Sequence, residues 1–174
     1  TYFADRCTAI IQDFGFDGVF ICDVGMRNAV YTEHSAAGYV EAFKFLSRVF
    51  LNNGKDLLTE DFFGQDAIDL YVAIIPHVSG LVLKTYPWAR GFFFAEAEKT
   101  LSYYEMYIQS LLSRLSLAER SKLLFTLETM DEQEGWFTPY LFLRNELNGL
   151  LKMNLDGVVI AHANRFSPYT IAID

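Results

Sequence analysis

The sequence predicts an α+β fold: a predominantly helical single domain, residues 1–174, whose N- and C-terminal β-hairpins join into a small antiparallel sheet packed against helices. Three observations lead there. Short runs rich in β-branched and aromatic residues sit near both ends of the chain. Between them the apolar spacing changes to that of helices, and no linker or repeat divides the chain. A chain of this length builds one sizeable core.

Taken in order, Phe3, Cys7, Ile10, Ile11 and Phe14 recur at helical spacing, and the glycines of GFDG (15–18) supply a stop. VFICDV (19–24) and NAVYT (28–32) then read as two strands of a hairpin around Gly25, Met26 and Arg27. Tyr39, Val40, Phe43, Leu46, Val49 and Phe50 mark an amphipathic helix ended by NNG at 52–54, and Gln65 to Ile75 a shorter one before Pro76. In the acidic stretch ahead of it, Thr59 reads as an N-cap, with Asp56, Glu60, Asp61, Asp66 and Asp69 as favourable helix-start charges.

Residues 77–91 fit a buried strand or a short helix followed by a loop. Helices are expected over Phe92–Leu115, over Leu117–Met130 behind a Ser116/Glu119 capping box, and over Pro139–Met153 with Thr138 as N-cap. GVVIAHA (157–163) and PYTIAID (168–174) complete the second hairpin.

On a helical wheel Phe94, Ala97, Leu101, Tyr104, Ile108, Leu111 and Leu115 step by three and four and form a core stripe. Phe92, Tyr103 and Tyr107 project to its flank beside Glu96, Ser110 and Arg114, where they need a neighbouring helix or an external partner, a second copy of the chain included.

The net charge of −8 is spread over both halves, 11 acids against 6 bases in residues 1–87 and 11 against 8 beyond. Such a field repels nucleic acid, whose binding depends on Lys and Arg displacing counterions, and suits a basic partner. The longest apolar run, Leu70 to Pro76, is far short of the ~20 residues of a membrane span. Cys7 and Cys22 read as reduced thiols, and with no signal peptide visible the expected setting is cytoplasmic.

Chemistry-bearing motifs are few. His34, His77 and His162 lack a second ligand at helical spacing, so neither a metal nor a cofactor is expected. Glu33 beside His34 and Asp23 in its turn form no recognisable pair. Ser79 in HVSGL lacks the first glycine of a nucleophile elbow, and no phosphate-cradling glycine loop exists.

The leading expectation is therefore a non-catalytic acidic binding protein of inhibitor or immunity type. Its surface, Glu128, Asp131, Glu132 and Glu134 with Trp136, Phe137 and Tyr140, would occlude a basic site on another protein. One alternative is a small-molecule sensor or carrier with Phe92, Tyr103, Tyr107 and His162 around an aromatic pocket. A third is an enzyme whose site converges only in space, betrayed by clustered carboxylates in a cleft.

Overall fold

The computed structural model describes residues 2–22, 36–85, 94–128, 138, 140–153, 155 and 157–161. Its elements run α1 (Tyr2–Phe14), β1 (Gly18–Ile21), α2 (Ala36–Phe50), β2 (Asp56–Phe62), α3 (Ile68–Ile74), β3 (Gly80–Lys84), α4 (Phe94–Ser113), α5 (Leu117–Arg120), β4 (Leu123–Glu128), α6 (Tyr140–Lys152) and β5 (Val158–Ala161). The strands form one sheet in the order β1-β2-β3-β4-β5, and every pairing is parallel.

This overturns the antiparallel sheet of terminal hairpins. The fold is α/β. VFICDV does contribute β1, but its partner is β2, in register from Gly18 opposite Asp56 to Ile21 opposite Thr59. Of the acidic stretch read as a helix start, Asp56–Phe62 is thus a strand, in which Thr59 is fully buried and its hydroxyl donates to the Ile21 carbonyl at 3.1 Å, whereas Asp66 and Asp69 do stand in the first turns of the helical segments that follow. At the other end GVVIAHA contributes β5, parallel to β4. NAVYT and PYTIAID, the predicted hairpin partners, lie outside the described residues.

The helix expected over Leu117–Met130 is also corrected. The capping box forms as read, with Ser116 Oγ accepting from the Glu119 N–H and Glu119 accepting from the Ser116 N–H, yet the helix lasts only four residues. LLFTLE then enters the sheet as β4, because Leu123, Phe125, Thr126 and Leu127 fill a buried slot beside β3. The ambiguous 77–91 stretch holds β3, all five of whose residues are buried. That near-continuous burial is characteristic of a central parallel strand.

Other elements follow the sequence closely. Gly15 and Gly54 both take φ 69°, and Gly54 closes the turn after α2 through its N–H to the Leu51 carbonyl. On α4, Leu101, Tyr104, Ile108 and Leu111 are buried as the wheel predicts, and so is Leu115 just past its end. α1 instead buries Ala4 and Ile11 and leaves Phe3, Ile10 and Phe14 exposed. Thr138 is buried, but its hydroxyl has no hydrogen-bond partner among the described residues and α6 begins at Tyr140, so it does not cap that helix.

Registered neighbours share a face of the sheet. Leu57, Leu81, Leu83, Leu123 and Phe125 point to one side and form a single core cluster with Ile11, Phe43, Tyr71, Ile108 and Leu150 from α1, α2, α3, α4 and α6. At its centre Phe63 meets Tyr71, Tyr104 and Phe125 at ring separations of 6.0, 5.9 and 6.1 Å. Sequential parallel strands with their helices on one face are singly wound, the winding of β/α barrels rather than of doubly wound sheets. The second face carries Phe20, Leu58, Val82 and Leu124, followed toward the C-terminal ends by Glu60 and Lys84.

Candidate functional site

All five strands point the same way, so their C-terminal ends lie along one edge. On that edge the apolar sheet becomes polar. Asp61, the penultimate residue of β2, is 1% exposed and accepts a hydrogen bond from the Tyr71 hydroxyl of α3 at 3.1 Å. Its chain neighbour Glu60 points to the opposite face, where Lys84 at the end of β3 donates to Glu60 Oε1 at 2.9 Å. Both side chains of that pair are largely buried, so it is screened less than a surface ion pair.

Thr85 extends the polar edge toward β4. Its N–H donates to Thr126 Oγ1 at 3.3 Å, and its hydroxyl lies 3.4 Å from both the Thr126 carbonyl and Glu146 Oε1. Glu146 belongs to α6 and is 2% exposed, so a helix carries a carboxylate inward to the ends of β3 and β4. Two strands thus contribute a buried acid or ion pair, and a third together with a helix contributes the threonine–glutamate group. Charges in this setting act in low dielectric, where their effect on a bound molecule exceeds that in water.

The chain matches no family model, no curated protein and no solved structure. The edge offers two acid–base carboxylates on opposite faces of β2, an ammonium held by one of them, and hydroxyls that donate or accept.

The sequence-predicted sites are distributed differently. Glu128 ends β4, and Tyr140 opens α6 with 56% of its surface exposed, while Asp131, Glu132, Glu134, Trp136 and Phe137 lie outside the described residues. Phe92 and His162 do so as well, as do Asp23, Glu33 and His34. Tyr103 and Tyr107 are described: they stack at 6.2 Å with 12° between their planes, and Tyr103 is 47% exposed. Tyr107 lines a groove of about 430 Å³ between α3 and α4, together with Met106, Ser110, Arg114, Gln65 and Asp69.

Ser79 serves the fold rather than chemistry, since its N–H donates to the Leu57 carbonyl and its hydroxyl accepts from the Leu57 N–H, clipping β2 to the start of β3. His77, just before β3, has its pKa lowered first by burial and then by the Lys44 and Lys122 ammonium groups, against an opposing pull from Glu41. Burial pushes the Cys7 thiol up, which keeps it protonated and unreactive. Among the described residues no helix is long and apolar enough to cross a membrane.

Sequence reasoning missed Glu60, Asp61, Lys84, Thr85, Thr126 and Glu146 as one group. The usable signal was charge at the ends of apolar runs, in LLTED and LVLKT, once both are read as parallel strands.

Proposed function

We propose that the chain carries a small-molecule site at the C-terminal edge of its sheet and performs acid–base chemistry there. Glu60 is the proton-transferring carboxylate, Lys84 donates a charge-assisted hydrogen bond to it and faces the ligand's negative end, and Thr85 and Thr126 supply hydrogen bonds. The observation that carries this reading is the polar convergence of β2, β3, β4 and α6 on one edge of an otherwise apolar sheet. Ligands of parallel α/β sheets bind at strand C-terminal ends because helix N-termini and loops meet there; that support is an analogy of architecture and names no substrate.

Thermal shift against a metabolite panel tests it, with wild type, Glu60→Gln and Lys84→Met in parallel. One compound class raises the melting temperature of wild type by several degrees and of neither variant. A stabilising compound that acts equally on all three proteins removes the edge as its site.

The acidic partner-binding surface is the second reading. What favours it is the start of α6, where Tyr140 and Leu141 are 56% and 64% exposed directly after the Asp131–Glu134 acids in sequence. Loss of a captured basic protein on Tyr140→Ala, with capture retained by Glu60→Gln, would favour this surface over the edge.

A further inference from the structure

The groove between α3 and α4 is a second concavity, separate from the polar edge in the residues that line it. One wall is Gln65, Asp66 and Asp69; the other is Met106, Tyr107, Ser110 and Arg114, with Ile68 between them. Its volume of about 430 Å³ falls within the range of small-molecule pockets. Arg114 Nη1 and Asp69 Oδ1 meet at 2.6 Å, so an ion pair ties the two walls together.

We infer that this groove binds a neutral polyhydroxylated ligand of one or two sugar rings. The half-buried Tyr107 ring is backed by its stack on Tyr103, and with Met106 it offers an apolar platform for the C–H face of a sugar. Around it, an amide, carboxylates, a hydroxyl and a guanidinium present donors and acceptors in the mixture that adjacent hydroxyls require. Two acids against one base leave the lining net negative, which disfavours phosphorylated or carboxylate ligands.

Titration of the whole protein by saturation-transfer NMR with glucose, maltose and cellobiose tests this, with putrescine and glucose 6-phosphate as cationic and anionic controls. At least one sugar saturates and the phosphate does not bind. Tyr107→Ala weakens that sugar by about tenfold or more. Because Tyr107 also packs against the core, the exposed Asp66→Asn and Gln65→Ala serve as second variants, and each weakens the same sugar. Glu60→Gln leaves it unchanged, which separates this groove from the strand-end site. The inference falls if no sugar saturates, if putrescine binds more tightly than every sugar, or if sugar binding survives all three groove variants.

Discussion

Gly18 and Gly149 are both crowded, but by different kinds of neighbour. A methyl group at Gly18 would run into the backbone carbonyl of Asp56, which the β1–β2 pairing fixes in place. At Gly149, inside α6, it would meet only the end of the Glu105 side chain, which can swing away. Gly18→Ala should therefore cost about 1–3 kcal/mol, whereas Gly149→Ala should be neutral or gain up to ~1 kcal/mol from helix propensity. Urea melts of the two variants side by side check the contrast. The buried Asp61 makes a related point: Tyr71→Phe removes a donor from a carboxylate water does not reach, and should lower stability by about 1–3 kcal/mol in the same melts.

Among the elements, α5 shows how a strong local signal can set a start without setting a length. The Ser116–Glu119 box satisfies the first free N–H groups of a helix, but the turn ends as Lys122 N–H bonds the Glu119 carbonyl and β4 departs. Ser116→Ala should cost roughly 1 kcal/mol, read as a lower denaturation midpoint with unchanged slope, since it loosens the turn and leaves the β4 pairing intact. Periodicity over 117–130 was misleading because a short apolar run bounded by a cap fits a helix and a buried strand equally. LLTEDFF misled for the opposite reason: its acids read as helix-start charges, although Asp61 is buried and Glu60 is paired.

At the scale of the whole molecule, His77 makes a contribution to the pH dependence of stability whose sign is definite. Its folded pKa lies below the unfolded value of about 6.5, because burial and the nearby Lys44 and Lys122 penalise the imidazolium. The unfolded chain therefore binds a proton the folded chain refuses, so this contribution is complete above about pH 6.5 and is lost as pH falls toward the folded pKa. His77→Gln should show a smaller drop in melting temperature than wild type between about pH 7.5 and 5.5, measured by differential scanning calorimetry. The carboxylates other than Glu41, which interacts with His77, are common to both proteins and cancel in the difference.

What the sequence determined by itself was local. Helix stripes, the glycine stops at Gly15 and Gly54 and the capping box at Ser116 depend on residues within a few positions of one another, so their physics is complete in the linear text. Only the tertiary structure decided strand direction and partner, because a short β-type run carries no mark of which distant run it will pair with or in which sense. The candidate edge inherited that dependence: Glu60 meets Lys84, and Thr85 meets Thr126 and Glu146, across sequence separations of 24, 41 and 61 residues. Such contacts exist once parallel pairing has brought the strand ends into line.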